Sequence, residues 1–197
     1  MKIEINKDSI KKVFKQLDPK DQKIVLRRSL NKTTGKARTA AKKTIRQDYR
    51  IKARDVDIRV DKARGNRFFA LLRAAYKPLR MTKFLVKNLK SGIFVEIKRG
   101  SKKKMTRSFF ASPSGRDWGL FGQKKQVSSS QTLLFQRSKD SGKYSGYPLK
   151  VPVGPSLGAM LKNESTKDAV ARTVRDNFHP IFTHELEYRM KQKRQAR

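Results

Sequence analysis

Two stretches of the chain carry apolar side chains at helical spacing, and the stretch between them carries short alternations of apolar and polar positions. Near the N-terminus, Ile10, Val13, Phe14 and Leu17 make a brief helical stripe after Asp8-Ser9. Asp18-Pro19 then restarts the helix. Asp18 suits the cap, Pro19 the first helical position, where a missing N–H costs nothing, and Asp21 the first turn, with its exposed backbone N–H groups. From there Leu26, Leu30, Thr33, Ala37, Ala41, Thr44, Ile45 and Tyr49 fall near a 3.6-residue period. The spacing predicts a helix of about 30 residues, roughly 45 Å long. Ala37, Ala40 and Ala41 would let another element approach closely, and Gly35 weakens the helix locally. At the other end Ala171, Val174, Phe178, Phe182, Leu186 and Met190 share a helical face, with Pro180 expected to kink or divide it.

Between these helices Val56, Ile58 and Val60 alternate with Asp57 and Arg59, as in a half-buried strand. Residues 67–76 are apolar and aromatic and end before Pro78; 93–97 form a strong strand candidate after the turn signal Ser91-Gly92. Residues 106–111 and 132–136 are further short strands. The Ser-, Gly- and Pro-rich stretch between those two reads as a long loop, and a loop of that length in a compact domain is functional or ordered by a partner. A second turn-rich stretch, 141–154, leads to a short helix with Gly154 at its cap and Pro155 at its first position. There is no internal repeat and no clean linker. The expectation is one α+β domain over 1–197: a long N-terminal helix, a small, mostly antiparallel β-sheet with an extended loop or arm at 112–131, and a C-terminal helix.

Charge changes this picture of an ordinary small domain. The 197 residues hold 50 Lys and Arg against 16 Asp and Glu, a net charge of +34. A chain of this size can bury roughly 70% of its unfolded surface, and 11 Phe argue for packing over a solvated tail. Cysteine is absent, which removes disulfides, thiolate metal sites and cysteine nucleophiles. No apolar run approaches the ~20 residues of a membrane span, and the first residues carry no apolar signal segment, so neither a membrane nor a secreted protein is expected. The excess peaks in the middle: residues 62–163 carry a net +20, with Glu96, Asp117 and Asp140 as their acids. Such a distribution suggests a folded face or channel lining rather than a basic tail. The sharpest cluster is Lys98, Arg99, Lys102, Lys103, Lys104 and Arg107, with no acid among them. It is either a solvated loop or a nucleic-acid-binding one. No base-reading module accompanies it, so phosphate contact without sequence preference is the expected mode.

Catalytic signals are thin. His184-Glu185 opens like a zinc-protease helix motif, but Tyr188 stands where the second histidine is needed. Asp55, Asp57 and Asp61 would share one face of a strand, which a two-metal nuclease could use; the plainer reading is the polar side of a half-buried strand. No Gly-x-Ser-x-Gly elbow, Walker loop or Rossmann fingerprint is present. No enzyme activity, cofactor or metal is expected.

An ordered series of residues then carries a resemblance. Phe109-Phe110-Ala111, Leu134-Phe135-Gln136-Arg137, Tyr147-Pro148-Leu149, Val153-Gly154-Pro155-Ser156, Met160 and His184-Glu185-Leu186 follow one another. Leu30-Asn31-Lys32-Thr33 and Ile51-Lys52-Ala53-Arg54 precede them. The series, spread over nearly the whole chain, resembles the minor tail protein Z family, or tail completion proteins, of tailed bacteriophages and prophages. The resemblance implies a structural virion protein at the head-proximal end of the tail, or neck, made in the host cytoplasm and acting in head–tail joining. It implies symmetric, ring-like assembly with other tail and neck proteins, such as the tail tube, terminator and connector, and neither activity nor cofactor. Trp118, Phe121, Phe135, Tyr147, Pro148 and Pro155, in or beside loops, are the candidate subunit-interface residues. The basic surface would face DNA or acidic partner subunits. A ribosomal or other RNA-binding protein, and less so a metal-dependent nuclease, are the alternatives.

Overall fold

The computed structural model describes residues 17–111, 133–137 and 149–195. It has the expected α+β class, and its contacts divide the chain into two compact units. The first unit comprises Met1–Ile45, Asp57–Tyr76 and Leu157–Arg197; the second comprises Arg46–Val56 and Lys77–Ser156. The stripe at Ile10, Val13 and Phe14 lies outside the described residues, as do the arm at 112–131, Trp118, Phe121, Tyr147 and Pro148.

Helix α1, Pro19–Asp48, which belongs to the first unit up to Ile45, starts where the sequence places it and has the expected 30 residues. The Gln22 N–H donates to the Asp18 carbonyl at 3.0 Å, the first bond of the helical ladder. Its buried line is Asp21, Val25, Ser29, Thr33, Ala37, Ala41 and Ile45, one residue in every four. Four residues turn about 400°, so the line drifts by about 40° per step and winds around the helix. Leu26 and Leu30, expected on the buried face, therefore flank it half-buried, while Val25 and Ser29 are inside. Ser29 is tolerated because its hydroxyl donates to the Val25 carbonyl at 2.8 Å.

Against Val25 and Leu17 pack Phe178, Phe182 and Leu186 of the second long helix. Two helices close the chain: α2, Leu157–Leu161, and α3, Glu164–Gln195. Asn163 caps α3, its side-chain oxygen accepting the Glu164 N–H at 3.1 Å. The helix is not divided at Pro180. An internal proline costs about 3 kcal/mol, but Phe178 and Phe182 on either side of it are buried in one core and stacked at 5.9 Å. Tertiary packing holds the segment where local propensity would break it. An ion pair joins the two long helices: Nε and Nη2 of Arg189 both donate to Asp21 Oδ1, at 2.9 and 2.7 Å. Strands β1, Ile58–Asp61, and β2, Leu71–Ala74, complete the unit as an antiparallel ribbon.

The second unit is built of short antiparallel strands: β3, Pro78–Arg80; β4, Leu85–Leu89; β5, Gly92–Glu96; β6, Lys102–Met105; β7, Ser108–Ala111; β8, Leu133–Arg137; β9, Leu149–Lys150; and β10, Val153–Ser156. Instead of one sheet they form three, β3 with β10, β4-β5-β6 and β7-β8-β9. Among its described residues, Tyr49, Ile51, Val56, Phe84, Ile93, Val95 and Leu134 are buried apolar side chains.

Gly154 and Pro155 do not start a helix. They lie in β10, whose register against β3 shifts between Gly154 and Ser156. A bulge accepts a proline because the ladder there needs no N–H. Gly154 lies against Phe84: a Cβ there would stand 2.6 Å from the ring. Close packing, not helix capping, is what glycine serves at this position.

Candidate nucleic-acid interface

The six-cation run is a turn followed by an edge strand, not a loop. In β4-β5-β6, Leu85 pairs with Glu96 and Leu89 with Gly92, while Lys102 pairs with Glu96 and Met105 with Ile93. Alternation then sorts the side chains. One face carries Ile93 and Val95, both buried, with Lys103 and Met105 beside them. The other carries Lys87, Phe94 and Lys104 in one cross-strand row, and Leu85, Glu96 and Lys102 in the next. Lys87, Lys102 and Lys104 are exposed. Neighbouring strands lie about 4.8 Å apart, so Lys87 and Lys104, two strands apart, flank Phe94 at roughly 10 Å.

Glu96 is the single acid on that face, and it is already engaged. Buried at its side chain, it accepts the Gly100 N–H at 2.9 Å and the Arg50 guanidinium at 3.3 Å. These bonds, the Gly100 amide above all, hold its carboxyl below the usual range against the opposing effect of burial. Gly100 takes a left-handed conformation (φ 82°) in the turn, which lets the amide point back at Glu96. Lys102 adds a favourable charge to Glu96, whereas Lys87 and Lys104 have no carboxylate in ion-pair range among the described residues. Lysines on an edge strand also block edge-to-edge pairing. β4 is the sheet's other edge, so Lys87 fits that role as well, though blocking an edge does not require it to share their face.

The remaining predicted cations have separate fates. Arg99 is a helix cap: its guanidinium donates to the Arg46 carbonyl at 3.0 and 2.9 Å, and its N–H to the Asp48 carbonyl at 2.9 Å. The orphan carbonyls of the α1 terminus and the negative end of its dipole take up this cation. Lys98 bridges to Tyr49 through its backbone. Lys103 points to the face opposite Lys102 and Lys104. Arg107 sits in a left-handed turn (φ 56°), and its carbonyl accepts the Arg137 N–H at 3.0 Å. With Lys104, Asn88, Phe109 and Phe110 it lines an open groove of about 510 Å³.

Of the described interface candidates, Phe135 lies opposite Phe109 across β7 and β8, its ring stacked 5.9 Å away, and Arg137 covers Phe109 at 5.3 Å. Phe135 is half-buried and already engaged within the chain. Pro155 is half-buried at the β10 bulge.

Sequence reasoning missed Lys87, Phe94 and the Arg50–Glu96 pair. The signal was present in part: Phe94 and Glu96 alternate with the buried Ile93 and Val95. The partner strand and its register could not be read locally.

The other candidate chemistries are dispersed. Asp55 sits in the 3₁₀ turn Ala53–Asp55, so the even spacing that put it on one strand face with Asp57 and Asp61 does not hold. Asp55 pairs with Lys83, Asp57 with Arg59 at 3.4 Å and Asp61 with Arg73 at 2.5 Å. Glu185 is buried and paired with Lys32, with Arg28 at 4.0 Å. Among the described residues no three His, Asp or Glu side chains form a group able to hold a metal ion, and no helix is long and apolar enough to cross a membrane. Comparison with protein-family models, with curated proteins and with solved structures finds no match to this chain.

Proposed function

We propose that this chain is a structural virion protein that completes the head-proximal end of a bacteriophage tail for head–tail joining, and that the exposed face of β4-β5-β6 touches the DNA passing there. The ordered residue series of the tail-completion resemblance supports the assembly role. One observation carries the DNA contact: Lys87, Lys102 and Lys104 share a sheet face whose lone carboxylate, Glu96, is occupied by Gly100 and Arg50. Like charges held this close repel, and an anionic polymer relieves that repulsion while releasing its own counterions. The lysines are point charges on flexible stems, suited to phosphates and unable to read bases bidentately. A conduit needs that kind of contact, because the DNA must slide. Assembly would be a ring of copies joined to tube, terminator and connector proteins.

The DNA contact is tested by replacing Lys87, Lys102 and Lys104 together with Gln and titrating duplex DNA at several salt concentrations. The slope of log K against log salt should fall by up to about 2.7, at 0.9 per lost phosphate contact, equally for unrelated sequences. An unchanged slope would remove the face from the interface. The assembly role is tested by deleting the gene. Filled heads and tails that fail to join are expected, and normal infectivity would refute it.

A further inference from the structure

The first unit presents a second cationic surface, built differently from the sheet face. Residues 62–69 contain three cations, Lys62, Arg64 and Arg67, no acid, and end in Phe68-Phe69. This loop is clasped to α1. Asn31 donates to the Ala63 carbonyl at 3.2 Å and accepts the Ala63 N–H at 2.8 Å, and Lys23 donates to the Asn66 side chain at 3.5 Å. The Arg67 N–H closes a turn onto the Arg64 carbonyl at 2.9 Å, with Gly65 left-handed at φ 56°. The clasp sets Arg64 opposite Arg27 and Arg28 across an open groove of about 390 Å³ whose lining includes no carboxylate. Among the described residues neither Arg27 nor Arg64 has an ion-pair partner, and Arg28 reaches only Glu185, at 4.0 Å.

Four and five residues on from Arg64, at the end of the same clasped loop, Phe68 and Phe69 are 39% and 51% exposed. The Arg67 guanidinium lies 5.4 Å from the Phe69 ring centroid. Rings of this size exposed in sequence are unusual on a soluble surface unless they serve an interaction. The ribbon's carboxylates do not oppose an anion, since Asp57 and Asp61 are held by Arg59 and Arg73. An arginine groove that tracks a backbone next to exposed aromatic rings is the combination that binds single strands: phosphates sit in the groove and unpaired bases stack on the rings. A duplex can offer its bases to the rings only by unstacking a step, at a cost of a few kcal/mol.

We propose that the groove of Arg27, Arg28 and Arg64 with Phe68 and Phe69 is a binding site for single-stranded nucleic acid. The site shares no residue with the duplex contact assigned to Lys87, Lys102 and Lys104, and it survives the failure of that assignment.

The test uses the full chain and fluorescence anisotropy with three labelled probes of equal length: oligo-dT, oligo-U and an abasic deoxyribose-phosphate strand. Wild type should bind dT or U more tightly than the abasic strand. The Phe68→Ala, Phe69→Ala double variant should weaken binding to the based strand about five- to 150-fold for each stacked base lost, and leave the abasic strand unchanged. Arg27→Gln with Arg64→Gln should weaken all three and reduce the salt slope by about 1.4, at 0.7 per phosphate. The stronger of dT and U identifies the natural strand. Equal binding of based and abasic strands by wild type would overturn the proposal. So would a Phe68, Phe69 variant that keeps full dT and U affinity, whether or not its sedimentation coefficient shows a lost copy-to-copy contact. Circular dichroism checks that each variant is folded. As exposed residues, the phenylalanines should leave thermal unfolding unchanged.

Discussion

Gly154→Ala is the most discriminating single change in the second unit. A Cβ at this position would lie 2.6 Å from Phe84 Cε2 and 3.1 Å from Cζ. Carbon pairs rest at about 3.5–4.0 Å, so the ring must move by roughly 1 Å. Phe84 has little room to do so. It is 4% exposed, its N–H donates to the Met81 carbonyl at 3.0 Å, and it bridges to Ile51. Overpacking of this kind costs about 1–3 kcal/mol. The backbone at Gly154 is not in the left-handed region, so alanine also gains about 0.4–1 kcal/mol by restricting the unfolded chain. The net expectation is a loss of up to about 2.6 kcal/mol, which lowers Tm by up to roughly 10 °C for a chain of this length. The decisive assay is a double-mutant cycle with Phe84→Leu, read by denaturant unfolding. Removing the ring edge should abolish or reverse the cost of the Gly154→Ala change, a coupling of about 1 kcal/mol or more. If Gly154 instead capped a helix begun by Pro155, the cost would be the same in both backgrounds. Equal costs would refute the packing account.

Three further outcomes follow from the same geometry. Arg99→Gln should destabilise the second unit by about 0.3–1 kcal/mol through loss of the α1 terminal cap, while the salt slope of DNA binding stays at the wild-type value; a lowered slope would show that Arg99 touches phosphate. Phe182→Ala, at a site 2% exposed in the helix–helix core, should cost about 3–5 kcal/mol in chemical denaturation. The Asp21 carboxyl is held below its ordinary 3.8, first by the Arg189 hydrogen bond and then, against burial, by Lys193. A depressed folded value means that its stabilisation is present at neutral pH and is lost as pH falls from the ordinary carboxylate range through the folded value. Asp21→Asn should therefore lower stability at pH 7 and flatten the acid limb of the stability profile; an acid limb identical to wild type would separate that pair from acid unfolding.

What was legible in the chain was local. The Asp18-Pro19 start, the length of α1, the apolar face of Phe178, Phe182 and Leu186, and the strand at β5 all follow from spacing and capping over a few residues. The magnitude of the charge and its concentration in the middle were likewise plain. Tertiary structure decided what each charge does. Of six adjacent cations, Arg99 closes a helix end 53 residues away, Lys102 and Lys104 share a face with Lys87, and Lys103 turns to the other side. Asp21 finds Arg189 across 168 residues. Gly154-Pro155 became a strand bulge because Phe84 occupies the space beside it, and α3 runs through Pro180 because two buried rings hold it. Periodicity is a property of the backbone and can be read along the chain. The partner of a charge or the neighbour of a glycine comes from distant residues, and only the fold brings those together.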